Sequence, residues 1–209
     1  MDIYIIPTKL EGVVIVETDY ARDERGFFLE SYHHRNYAVH GIGDRFVQDN
    51  HSRSSINVLR GLHYQDVTAP QAKMVRCIIG AIWDVAVDLR AGSPTFGQWV
   101  GVELTAENMR QLFIPVGFAH GFVARTEPTE ILYKCTNYYT PSAEGAIAWD
   151  DPDLGITWPV DEPILSQRDC RAKSLRSYRV NPAFHYLPEI QATERTAASP
   201  IMPLQRTRH

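Results

Sequence analysis

Cysteine is scarce in this chain: three in 209 residues, Cys77, Cys135 and Cys170, with no CxxC spacing. An odd number so spaced argues against a disulfide framework and is read as free thiols in a reducing cytoplasm. Long apolar runs are lacking too. No window approaches the roughly 20 apolar residues that a bilayer crossing needs, and the apolar N-terminus is broken by Pro7, Lys9 and Glu11, so neither a signal peptide nor a membrane association is expected. A dense Lys/Arg run is missing, and the net charge of -4 leaves no basic face with which to neutralise a nucleic-acid backbone. A small anionic ligand held by a few local cations is still allowed. There is no internal repeat and no glycine fingerprint of the GxGxxG or GxxxxGKS kind.

With 44% hydrophobic and 22% charged residues, the chain can bury a core and reads as one globular domain. Its strongest period is two. From Trp83 to Leu89, bulky apolar residues fall on one face and Asp84, Ala86 and Asp88 on the other, the pattern of a half-buried strand. Similar runs recur at 13–18, 73–79, 99–104, 111–115, 121–125, 130–139 and 146–149, separated by turn formers such as Gly80, Gly92-Ser93-Pro94, Pro115-Val116-Gly117 and Pro141-Ser142. Strands about ten residues apart point to an all-β sandwich, jelly roll or barrel. Helical patterning is weak, with segments expected near 32–40 and 166–175. Beyond Tyr178, alternation gives way to Thr/Pro/Arg-rich sequence, read either as a loosely held tail or as a segment in which Phe184, Tyr186 and Leu187 dock on the domain or on a neighbouring subunit.

Three segments could carry chemistry. His63 lies in a strand-like stretch (58–65) beside Gly61, with Gln71 and Lys73 shortly after, and two strands joined this way would bring His63 and Lys73 near each other. Strict alternation puts Arg60 and His63 on opposite faces, so both serve one site only if Gly61 breaks the pleat or the strand ends there. His120 sits in a turn rich in Pro and Gly, among aromatics. Tyr133 and Cys135 share a face with Ile131. Each has a plainer reading: a strand or turn histidine hydrogen-bonded to its surroundings, a tyrosine that only packs. A β-barrel metal site would want an HxH pair, a Glu and a later His. Gln65 stands two after His63 and the cation Lys73 follows, so no metal and no cofactor are expected.

Taken together, Arg25-Gly26-Phe27-Phe28 with Glu30, Gln48-Asp49-Asn50-His51-Ser52, Leu59 to Gln65, Gln71 with Lys73, Pro115 to Phe122, Tyr133, Tyr139, Trp149-Asp150-Asp151-Pro152, Gly155-Ile156, Trp158-Pro159, and Leu165-Ser166 with Asp169 closely resemble the dTDP-4-dehydrorhamnose 3,5-epimerase family over roughly residues 3–175. The resemblance implies an all-β, cupin-like jelly-roll β-sandwich barrel with a few short helices over residues 1–178, a C-terminal extension over 179–209, and a homodimer. It implies epimerisation of a dTDP-linked 4-keto sugar, with His63 as base, Asp169 orienting it, Tyr133 as acid, and Lys73 with His120 meeting charge on the ketone oxygen. Arg25, Glu30, Gln48, Asp49, Asn50, Arg60, Glu144 and Arg168 fall at ligand-binding positions, and Tyr139 at one that stacks on thymine. Arg168 departs from the family's usual Lys. Family members that invert C3 alone share nearly all these residues, and a non-catalytic nucleotide-sugar binder would lack the base, the acid or the carboxylate.

Overall fold

A computed structural model describes residues 1–187. Its strands are β1 (Ile3–Pro7), β2 (Val14–Thr18), β3 (Ala21–Asp23), β4 (Gly26–Phe28), β5 (Gln48–Ser54), β6 (Leu59–Gln65), β7 (Lys73–Ile79), β8 (Ala81–Asp88), β9 (Arg90–Ala91), β10 (Trp99–Thr105), β11 (Gln111–Ile114), β12 (Phe118–Ala124), β13 (Thr129–Cys135), β14 (Glu144–Ala146) and β15 (Phe184–His185). Helices are few: α1 (His34–Ala38), α2 (Leu175–Val180) and two 3₁₀ turns, Pro141–Ala143 and Asp169–Arg171. Ser174 starts α2 by accepting the Ser177 N–H at 3.1 Å. The helix expected over 166–175 is therefore a single 3₁₀ turn, with the true helix beginning where that window ends.

Six strands form one sheet in the order β1-β2-β11-β7-β13-β5, and five form a second in the order β10-β8-β12-β6-β14. A short hairpin, β3–β4, stands apart, and β15 runs parallel to β9. Neither large sheet closes on itself among the described residues, so the architecture is a sandwich of two open antiparallel sheets.

Alternation along the strands builds three apolar layers. Val75, Cys77, Leu112, Ile114 and Ile131 of the first sheet meet Ile82, Ala86, Val102, Leu104, Phe118 and Phe122 of the second. Behind the second sheet, Leu59, Leu62, Tyr64, Val85 and Val87 pack beneath Trp158, Leu175, Tyr178 and Phe184. Behind the first, Val16, Met74 and Phe113 pack under Tyr37 and Ile42. Fully burying each of the large apolar side chains is worth about 1.5–3 kcal/mol. The second sheet is thus covered on both faces, which corrects the expectation of a half-buried strand at 83–89: Asp84 and Asp88 are fully buried, facing the gap between the sheets. Asp88 is satisfied there by Arg90, Ser93 and Thr95 at 2.6–2.9 Å.

Candidate active site

The gap between the sheets is apolar at its centre and polar where β6, β7, β13 and β14 end. On the first sheet, Lys73 pairs with Cys135 and Val75 with Tyr133; Cys135 pairs with Gln48 and Tyr133 with Asn50. Cross-strand partners share a face. Since Val75 belongs to the central layer, Lys73, Tyr133, Cys135, Gln48 and Asn50 face the gap with it.

The second wall depends on a bulge. His63 pairs with His120 and Arg60 with Phe122, so three residue steps on β6 match two on β12. His120 and Phe122 share a face, and the extra residue therefore places Arg60 and His63 on that face as well. Gly61 makes this possible. Its φ is +127°, and a Cβ there would sit 2.5 Å from the Gly121 Cα. Of the two conditions set by alternation, a pleat broken at Gly61 or a strand that ends there, the first holds, and it puts Arg60 and His63 on one face. His63 and Lys73 do come together, across the gap between the two sheets rather than side by side in one sheet.

His63 Nε2 lies 2.6 Å from Asp169 Oδ1. The other carboxylate oxygen accepts the Ser166 hydroxyl at 2.8 Å, so the 3₁₀ turn that carries Asp169 holds it in place. Arg168 reaches His63 Nε2 at 2.7 Å with Nη2 and Glu144 at 2.6 Å with Nη1. From there a chain of contacts circles the mouth: Glu144 accepts the Tyr139 hydroxyl at 2.9 Å, the Tyr139 N–H donates to Gln48 at 2.9 Å, and Gln48 donates to Asn50 at 3.1 Å. The chain ties both walls together. Beside it opens a cleft of about 700 Å³ onto which Arg168, Arg171 and Lys173 face, with Glu144 and Gln167. Three cations against one carboxylate leave this cleft locally positive, a charge balance that can hold an anion.

Burial depresses the His63 pKa below its ordinary 6.5; Arg168 and Lys73 push the same way, and Asp169 opposes them. The imidazole is consequently neutral near pH 7 and able to take a proton. Burial would raise Asp169, but the hydrogen bonds from His63 and Ser166 and the charge of Arg168 outweigh it, so the carboxyl is held low and ionised. Burial raises Tyr133, which keeps its phenol protonated. Burial lowers Lys73, against the charges of Cys135, Asp84 and Glu144. A neutral imidazole on one wall thus faces a protonated phenol on the other, with the Lys73 amine beside them. Such an arrangement can remove a proton from one side of a flat ligand and return one from the other.

Of the residues singled out in sequence, His63, Asp169, Arg168, Glu144, Tyr139, Gln48 and Asn50 are joined by direct contacts, and Tyr133, Lys73, Arg60 and His120 share the walls. Asp49 is not brought in. It alternates with Gln48 and Asn50, points to the opposite face and pairs with Lys134 at 2.9 Å. Arg25 sits on the β3–β4 hairpin with its side chain 84% exposed, bonded to Asp23, and Glu30 accepts from Asn36 at 3.2 Å. Neither contacts the cleft. Sequence reading passed over Asp84, which meets His120 Nε2 at 2.7 Å. The signal was a carboxylate repeatedly placed on the face opposite the bulky residues, taken there for solvent. Among the described residues no group of three or more His, Cys, Asp or Glu side chains gathers as for a metal.

Known proteins share this sequence and fold. A family profile described as dTDP-4-dehydrorhamnose 3,5-epimerase matches residues 7–177. The chain is 55% identical over 173 residues to the dTDP-4-dehydrorhamnose 3,5-epimerase of Salmonella typhimurium, covering 82% of this chain and 94% of that protein. It is 40% identical over 175 residues to the dTDP-4-dehydrorhamnose 3-epimerase of Streptomyces niveus, covering 83% and 84%. Among solved structures, a dTDP-6-deoxy-D-glucose-3,5-epimerase from Legionella pneumophila in complex with dTDP-4-keto-L-rhamnose superposes with a TM-score of 0.84 at 49% identity, covering 88% of this chain and 99% of that one. By profile, by identity and by fold, the chain belongs to the dTDP-4-dehydrorhamnose 3,5-epimerase family.

Proposed function

We propose that this isomerase inverts both C3 and C5 of dTDP-4-dehydro-6-deoxy-D-glucose, giving dTDP-4-dehydro-L-rhamnose. The observation that carries the reading is the His63–Asp169 pair on one wall facing Tyr133 on the other. At each carbon His63 takes the hydrogen next to the C4 ketone, the electron pair moves into the carbonyl, and Tyr133 returns a proton from the opposite side. Lys73 and His120 meet the negative charge on O4, a kind of contribution that can be worth about 3 kcal/mol to the barrier. Arg60 and Arg168 suit the diphosphate, because a guanidinium makes paired bonds to its oxygens; Tyr139 suits the thymine ring.

The competing reading, inversion at C3 alone, draws on the 40% identical relative named as a 3-epimerase. Incubation with dTDP-4-dehydro-6-deoxy-D-glucose in D₂O separates the two. Deuterium at both carbons with inverted product is the expected result, and label at C3 alone selects the alternative. In the same assay Tyr133→Phe should still exchange hydrogen through His63 while inversion falls; unchanged inversion would make Tyr133 a packing residue.

The sandwich is read as a cupin-like jelly roll in which residues 1–178 form the working domain, with the start of the extension docked on it through Phe184, acting in the cytoplasm as a homodimer. Support for the dimer is the exposed apolar surface near the N-terminus: Tyr4 and Ile6 on edge strand β1, and Phe27 and Phe28 on the hairpin, 53% and 68% exposed. A monomer by light scattering would overturn it.

A further inference from the structure

Asp84 lies mid-strand on β8, in the interior of the second sheet, with Ile82, Ala86, Val102 and Phe122 around it in the central layer. It is fully buried, and while one carboxylate oxygen meets His120 Nε2 at 2.7 Å, the other has no hydrogen-bond partner among the described residues. For the fold alone this is a costly choice. A carboxylate amid apolar neighbours is harder to bury than a hydrocarbon of its size, and an unmet oxygen adds to that cost. The contrast with Asp88, two residues on and facing the same gap, sharpens the point: its oxygens take five hydrogen bonds from Arg90, Ser93 and Thr95 that knit a loop. Asp84 knits nothing of the kind.

What Asp84 does touch is the site. His120 is the direct cross-strand partner of His63, and the charge of Asp84 reaches Lys73 on the opposite wall. We infer that Asp84 is a positioning residue for the epimerase reaction: its carboxylate accepts the Nε2 hydrogen of His120 and supports the imidazolium, fixing the ring's orientation so that Nδ1 points its own hydrogen to the ketone end of the gap. A carboxylate behind an imidazole fixes the ring's orientation and supports a hydrogen on both nitrogens, one held by the carboxylate and one free to donate. The site then holds two carboxylate–histidine pairs whose imidazoles are side by side on one sheet, with Asp169 of the 3₁₀ turn behind the base and Asp84 of β8 behind the group that faces O4. The inference rests on the proposed place of His120 beside that oxygen.

The test is a double-mutant cycle with Asp84→Asn and His120→Gln, read as kcat, KM and deuterium uptake. Asp84→Asn should lower kcat and exchange together by about 10- to 100-fold, with KM within about threefold because Asp84 is sealed from the ligand. In a His120→Gln background the same change should cost little more. A kcat within twofold of the unaltered protein, or losses that multiply independently, would make Asp84 a structural residue and leave the function standing. A His120→Gln variant of full activity would instead remove His120 from the ketone and the inference with it. Should Asp84→Asn fail to fold, ¹⁵N NMR of ring-labelled histidine in the unaltered protein decides: His120 must carry its hydrogen on Nε2 at neutral pH, and a bare Nε2 would overturn the assignment.

Discussion

The neighbours of His63 pull its affinity for a proton in opposite directions, Arg168 and Lys73 down and Asp169 up, and this gives the site a testable pH signature. With His63 as the proposed base, only the neutral imidazole can accept the substrate hydrogen, so kcat/KM should fall as pH drops through the His63 pKa, which burial and the cations Arg168 and Lys73 hold below 6.5. Arg168→Gln removes one of the charges that disfavour the imidazolium. The acid limb should therefore move to higher pH. Asp169→Asn removes the partner that favours the imidazolium and should move the limb to lower pH while also cutting kcat, since the imidazolium formed in the reaction loses its counter-charge. Opposite displacements in the two variants, measured as kcat/KM against pH, are the expected outcome; displacement in the same direction would mean that another group sets the limb.

Among the elements, β6 determines whether there is a site at all. Its bulge turns Arg60 and His63 onto one face, and Gly61 is the residue that permits it. Gly61→Ala puts a Cβ 2.5 Å from the Gly121 Cα at a φ that side chains rarely adopt. A cost of at least about 1–3 kcal/mol is expected from the backbone conformation alone, with activity falling further than stability, because relief of the clash moves His63 off Asp169. Denaturant titration beside kcat checks this, and a stable variant of full activity would refute it. Strands such as β7, β10 and β11 were legible in sequence to within a residue or so, because each is a short, largely apolar run bounded by turn formers. β5 was not, since Gln48 to Ser54 contains no apolar residue and is a strand only by pairing with β13. The same limit hid Asp84. A period of two separates faces but does not say which is wet, and in a sheet covered on both sides the polar face holds the chemistry. Asp49 erred the other way, because the matching segment included a residue whose side chain alternates out of the site.

For the whole molecule, the question is where the folded unit ends. Composition shifts after Tyr178, which suggested a boundary there, yet the chain continues as part of the core: Phe184 is only 4% exposed and packs on Tyr64, while β15 pairs with β9. The Tyr178 hydroxyl is the hub of this closure, donating to the Leu89 carbonyl at 2.8 Å and accepting the N–H groups of Ala183 and Phe184 at 3.1 and 3.2 Å. Residues 188–209, the rest of the expected tail, lie outside the described residues. A chain ending at Tyr178 loses the buried Phe184 ring, a change of about 3–5 kcal/mol by analogy with Phe→Ala in a core. At about 2–4 °C per kcal/mol for a domain of this size, it should unfold roughly 10 °C below a chain ending at Leu187. The gap that holds the proposed site lies on the other face of the second sheet from Phe184, so turnover per folded molecule at 20 °C should be retained. Equal unfolding temperatures would mean that the docked segment adds nothing to the fold. Loss of turnover without loss of stability would mean instead that this strap acts on the site through Tyr64, the neighbour of His63 in β6.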